Sequence, residues 1–68
     1  MYNIKKIEKE LKRYGYDRVF QWLDDPCYDL PDYLSDFQKV AEMSGATNIR
    51  QVLFFMEILN KLERLEHR

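Results

Sequence analysis

The last third of the chain contains the feature that most limits how it can fold. Every residue from Val52 to Leu59 except Glu57 is apolar, within a helix predicted to run from Asn48 to about Leu65. At about 100° of rotation per residue, apolar side chains fall on most of the helix circumference. A helix of this kind has to be covered on more than one side. One sector is consistently polar, and it holds Arg50, Glu57, Lys61 and Arg64.

The chain is short for such a helix. Its 68 residues, 46% apolar and with a net charge of −1, predict a single domain over residues 1–68. A domain this small buries only about 60% of its unfolded surface, so its stability depends on staples or partners. One cysteine, Cys27, and one histidine, His67, supply neither an intrachain disulfide nor a histidine-rich zinc site. The composition excludes a two-domain enzyme, a disulfide scaffold and a strongly basic histone-like arm.

The first helix has clear signals at both ends. It is predicted from Ile4 to Tyr14, with Asn3 as the N-cap and Gly15 as the stop. Its apolar stripe repeats at spacings of three and four residues, as a helix buried on one face requires. The stripe contains Ile4, Ile7, Leu11 and Tyr14.

A second, shorter helix is predicted from Asp17 to Asp25, ending there because Pro26 disfavours helix in the residue before it. Phe20 is expected to fill the core, as is Phe37 farther along the chain. The following stretch, with its two prolines and several aspartates, is a loop.

A third helix is predicted from Pro31 or Asp32 to Ser44, with either Asp29 or Asp32 as its cap. Gly45 ends it, and Thr47 is expected to cap the last helix. No segment has the alternating pattern of a strand. The predicted fold class is therefore all-α, with three short helices packed on one long C-terminal helix.

Two ways of covering the last helix stay open. The three short helices can wrap it within a monomer, or a second chain can cover one side in an antiparallel or parallel pair. Because the short helices offer limited cover, we expect self-association, in its simplest form a homodimer, and binding to a protein partner. The expected contact residues are Phe54, Phe55, Ile58, Leu62 and Leu65, with Trp22 and Tyr28 as anchors at the rim.

An alternative function comes from the junction of the last two helices. Val40-Ala41, Gly45 and the following Thr47-Asn48-Ile49-Arg50-Gln51 resemble the helix-turn-helix of DNA-binding regulators over about 20 residues. That resemblance implies contacts to bases or phosphates from Thr47, Asn48, Arg50 and Gln51. Against it, Gln51 takes the place of the expected apolar residue, and the chain as a whole is slightly acidic.

Charge is unevenly distributed along the sequence. Residues 1–16 carry five basic and two acidic side chains, whereas residues 17–36 carry one basic and six acidic. The two regions are expected to attract each other within the fold or between subunits. The aspartates lack the glycine and glutamate of a calcium loop. We therefore expect them to cap helix ends and to stay exposed to water, and we expect no bound metal.

Catalytic motifs are missing from the sequence. It contains neither a glycine-rich phosphate loop nor a nucleophile elbow, and Cys27 has no histidine near it in sequence. We therefore expect a non-enzymatic protein without a cofactor or a small-molecule substrate.

The expected compartment is the cytoplasm. The longest apolar run, Val52 to Met56, is five residues, against the roughly 20 that a membrane-spanning helix needs. The N-terminus does not have the pattern of a signal peptide. No membrane partner is expected.

Overall fold

The computed structural model describes residues 1–66, and these fold into four α-helices with no β-strand among them. The all-α prediction is confirmed. The sequence predicts no zinc site at His67, and this residue lies outside the described residues. The helices are α1 (Ile4–Tyr14), α2 (Tyr16–Asp24), α3 (Ser35–Ser44) and α4 (Ile49–Glu66), with a 3₁₀ turn (Asp32–Leu34) directly before α3.

The predicted ends of α1 are confirmed. Asn3 Oδ1 accepts a hydrogen bond from the Lys6 amide at 3.1 Å. Gly15 ends the helix with φ at +115°, and its amide donates to the Leu11 carbonyl at 2.9 Å. The same glycine precedes α2, so α2 begins at Tyr16, one residue earlier than predicted, and ends at Asp24. One glycine therefore makes the whole corner between the two helices.

The start of α3 differs from the prediction. Pro31 stands before the 3₁₀ turn, whose first backbone bond runs from the Leu34 amide to the Pro31 carbonyl at 2.8 Å. No side chain caps this turn, so neither Asp29 nor Asp32 is the cap. Asp29 Oδ1 instead accepts from Gln38 Nε2 at 3.2 Å. The proline ring fixes its own φ, which favours a tight turn without a side-chain cap.

The turn between α3 and α4 contains one confirmed prediction and one correction. Gly45 is left-handed, with φ at +66°, and ends α3 as predicted. The cap of α4 is Asn48 and not Thr47, because Asn48 Oδ1 accepts from the Gln51 amide at 2.9 Å. Gln51 Oε1 reaches back and accepts from the Thr47 amide at 3.0 Å. The two side chains thus satisfy the backbone amides of Gln51 and Thr47, one inside the first turn of α4 and one just before its cap.

The core lies between α4 and the other three helices. α3 and α1 both pack on α4, and α2 packs on α1. Phe37 is fully buried as predicted, whereas Phe20 is 49% exposed, so its expected place in the core is wrong. On α2 the buried residues are Val19 and Trp22, and Phe20 points away from that stripe. The fully buried side chains are Leu11, Val19, Leu34, Phe37, Val40, Val52 and Met56.

The N-terminal residues lie along the C-terminal half of α4. The amino group of Met1 forms an ion pair with Glu63 Oε2 at 3.1 Å.

None of the helices within residues 1–66 combines the length and the apolar character needed to cross a bilayer.

Candidate protein-interaction surface

Four apolar side chains on α4 face solvent. Phe54, Ile58, Leu62 and Leu65 have exposed fractions of 37–62% and follow one another at spacings of four, four and three residues. At about 100° of rotation per residue they lie within an arc of about 80°. The centre of this arc is on the opposite side of α4 from buried Met56. We call these four residues the α4 seam.

Phe55, also expected at the contact, occupies a different position. It is partly buried and packs against the core. Its ring therefore lies at the border between the core and the α4 seam, and its main contribution is within the chain.

Trp22 does not lie at a surface rim as expected. Its side chain is only 2% exposed, and its indole N–H donates to the Tyr28 carbonyl at 2.7 Å. The ring fills the core while its one polar atom holds the loop after α2, which is how buried tryptophans are satisfied. The expected position at the rim is therefore corrected.

Tyr28 does lie on the surface, in that same loop. A hydrogen bond with the Tyr14 side chain raises the pKa of the Tyr28 phenol above its ordinary value. The loop itself is held to the core by the bond from the Trp22 indole to the Tyr28 carbonyl.

A groove of about 610 Å³ runs between α2 and α4, beside the α4 seam. Phe54 belongs to both surfaces. The exposed rings of Tyr16 and Phe20, at 44% and 49%, form the α2 wall of the groove. We call this surface the α2/α4 groove, and its apolar lining consists of Tyr16, Phe20, Ile49, Leu53 and Phe54.

The remaining lining of the α2/α4 groove is charged. Glu8 from α1, with Arg50 and Glu57 from α4, completes it. Two carboxylates against one guanidinium give this rim a net negative charge. An apolar segment with basic neighbours would match it in both hydrophobicity and charge.

The residues of the helix-turn-helix resemblance are mostly engaged within the chain. Asn48 caps α4 at the Gln51 amide, and Gln51 Oε1 accepts from both the amide and the Oγ1 hydroxyl of Thr47, the latter at 3.3 Å. Arg50 is exposed, but it lines the α2/α4 groove with Glu8 and Glu57. Arg50, the one cation among the four residues, therefore shares its groove with two carboxylates.

The acidic loop and the cysteine lie on the surface. Cys27 is exposed and unpaired. Across residues 1–66 no group of three or more acidic, cysteine or histidine side chains has the arrangement to hold a metal ion.

The sequence pattern did not reveal the α2/α4 groove, because its walls come from separate parts of the chain. The available signal was Phe20. In a helix that buries Val19 and Trp22, the residue directly after Val19 projects to the side. A large aromatic side chain at such a position indicates a surface contact.

Comparisons with known proteins bring no further information to this surface. No protein-family model matches the sequence, and neither curated proteins nor solved structures give a match.

Proposed function

We propose that this protein is a non-catalytic helical interaction module that self-associates through α4 and acts by binding another protein. The simplest form of the association is a homodimer, and the proposed compartment is the cytoplasm. The observation that carries the proposal is the α4 seam, which exposes four large apolar side chains on the side of α4 that faces away from the core.

The position of the seam supports an association surface. Scattered apolar residues are normal on protein surfaces, but a contiguous strip is typical of interaction sites. The four seam residues belong to one helix and occupy one arc, and Phe54 continues the strip into the α2/α4 groove. Covering this strip would supply apolar burial that a chain of this length lacks.

The experiment is sedimentation of the parent chain and of Leu62→Glu over a range of micromolar concentrations. Leu62 is half exposed, so the substitution places a charge in the seam without entering the core. We expect the parent to sediment as more than one chain and Leu62→Glu as a monomer with unchanged helical circular dichroism.

Met43→Glu is the matched control. Met43 is 62% exposed, as an apolar side chain of α3 outside the seam. Its substitution should leave the mass at the parent value. A monomeric parent, or a Leu62→Glu variant that keeps the parent mass, would contradict the proposal.

DNA binding by the start of α4 has less support. The side chains of Asn48 and Gln51 already bond to the backbone of residues 47–51, and reading a base would require them to give up those bonds. Arg50 shares its groove with two carboxylates, whose negative charge disfavours the approach of a phosphate.

A further inference from the structure

The α4 seam alone is small for a stable interface. Its exposed fractions correspond to about 300–400 Å² of apolar surface if a fully exposed large side chain offers roughly 150–200 Å². A stable complex buries about 800 Å² on each partner. Tyr16 and Phe20, both close to half exposed across the α2/α4 groove, are the nearest additional apolar surface. An occupant that covers the seam and fills the groove together approaches the required area.

We infer that this occupant is the C-terminal half of α4 from a second copy, lying antiparallel in the α2/α4 groove. This inference rests on the proposed self-association and adds its orientation and the residues that fix it. The twofold axis repeats the contact, so each chain both offers a groove and fills one.

The sequence of α4 provides what the groove requires. Its C-terminal half presents Leu62 and Leu65 on the seam, with Lys61 and Arg64 beside them. Apolar anchors with basic neighbours match a lining that is aromatic and carries the carboxylates of Glu8 and Glu57.

The register follows from pairing the two ends of the seam. With Phe54 level with Leu65 of the second copy, Glu57 is level with residue 62 of that copy. Lys61 and Arg64 of the second copy are then within one helical turn of the Glu57 carboxylate. The same pairing occurs twice, once on each side of the axis.

A parallel pair does not give this complementarity. In a parallel pair the twofold axis runs along the helices, so each flank of α4 faces the opposite flank of the other copy. In an antiparallel pair the axis is perpendicular to the helices, so each flank faces the same flank of the other copy. Glu57, Lys61 and Arg64 belong to the same flank of α4. Only the antiparallel arrangement therefore places the acidic rim of one groove against the basic residues of the other chain.

Charge reversal tests the pairing. We expect Glu57→Lys to raise the dimer dissociation constant about tenfold at low salt, because on each side of the axis it replaces attraction to Lys61 and Arg64 with repulsion. The double variant Glu57→Lys/Arg64→Glu restores the opposite charges and should return the constant to within about threefold of the parent. Lys39→Glu reverses a charge at an exposed position of α3 and is the control. It should leave the dimer dissociation constant nearly unchanged.

Disulfide formation provides a second measurement that does not depend on rim charges. All chains carry Cys27→Ser, and a Phe54→Cys chain is mixed with a Leu65→Cys chain under mild oxidation. We expect the mixed disulfide to form faster than either self-linked product, since position 54 of one chain is level with position 65 of the other.

The outcomes separate the orientation from the association itself. If the parent is a monomer at all concentrations, the proposed function and this inference both fail. If the parent is a dimer but Glu57→Lys leaves its dissociation constant unchanged, or if Leu65→Cys links mainly to itself, only the antiparallel groove contact is overturned. A dimer in which both the charge rescue and the mixed disulfide appear supports the inference.

Discussion

Tyr2 and Asn60 exchange two hydrogen bonds across 58 residues of sequence. The Tyr2 amide donates to Asn60 Oδ1 at 2.8 Å, and Asn60 Nδ2 donates to the Tyr2 carbonyl at 2.9 Å. Asn60 lies about 160° around α4 from Ile58, at about 100° per residue. The N-terminal segment therefore covers the core-facing side of α4 and leaves the α4 seam open.

The Tyr2–Asn60 pair should contribute to stability. We expect Asn60→Ala to lower the free energy of unfolding by about 1–3 kcal/mol, because it leaves a partly buried amide and carbonyl without partners. Lys39→Ala, at an exposed position of α3 outside the α4 seam, should change it by less than about 0.5 kcal/mol. Urea unfolding followed by circular dichroism measures both. Equal urea midpoints for the two variants would show that the Tyr2–Asn60 hydrogen bonds do not contribute to stability.

The two candidate caps of α4 can be compared directly. Asn48→Ala should cost about 1 kcal/mol, the usual loss for an N-cap side chain. Thr47→Ala should cost no more than about 0.5 kcal/mol, because the Thr47 amide still donates to Gln51 after the hydroxyl is removed. Chemical unfolding of the two variants gives the order, and a larger cost at Thr47 would contradict the assigned cap.

The two positive-φ glycines should respond differently to alanine. Gly45 is in the left-handed region, where a Cβ meets nothing within 4 Å, so Gly45→Ala should cost about 1 kcal/mol of backbone strain. Gly15, with φ at +115° and ψ at +119°, lies outside that region, and Gly15→Ala should cost about 2–3 kcal/mol. Thermal unfolding distinguishes them. A Gly15 variant as stable as the Gly45 variant would refute the strain assigned to the α1–α2 corner.

Self-association should make stability depend on concentration. A second copy that binds only the folded chain stabilises it by mass action, so the unfolding midpoint of the parent should rise with protein concentration. Leu62→Glu should show one midpoint at every concentration. Differential scanning calorimetry over a wide concentration range makes the comparison, and a constant midpoint for the parent would count against association.

Local signals in the sequence were sufficient for α1. Asn3 and Gly15 act within a few residues of the ends they define, so the helix from Ile4 to Tyr14 was predicted with the bounds that the structure shows. The cap of α4 was harder, since Thr47 and Asn48 are adjacent and both suit the position. The choice depends on Gln51, whose side chain reaches back to the Thr47 amide.

Longer-range relations were not predictable in the same way. Periodicity predicted a contact surface on α4 from Phe54, Phe55, Ile58, Leu62 and Leu65, and all of these except the partly buried Phe55 are exposed. It did not show that Trp22 is buried beneath the loop that contains Tyr28, or that Phe20 faces Phe54 across a groove. Such positions depend on how α1, α2 and α4 pack together, which spacing along one helix does not specify.

The central claim is that a second chain covers the α4 seam. The most direct measurement is an isotope-filtered nuclear Overhauser experiment on a mixed sample of methyl-labelled and unlabelled parent chains. We expect intermolecular contacts from the methyl groups of Ile58, Leu62 and Leu65, and none from exposed Met43 on α3. A sample in which the seam methyl groups contact only their own chain, or in which Met43 carries the intermolecular contacts, would contradict the account.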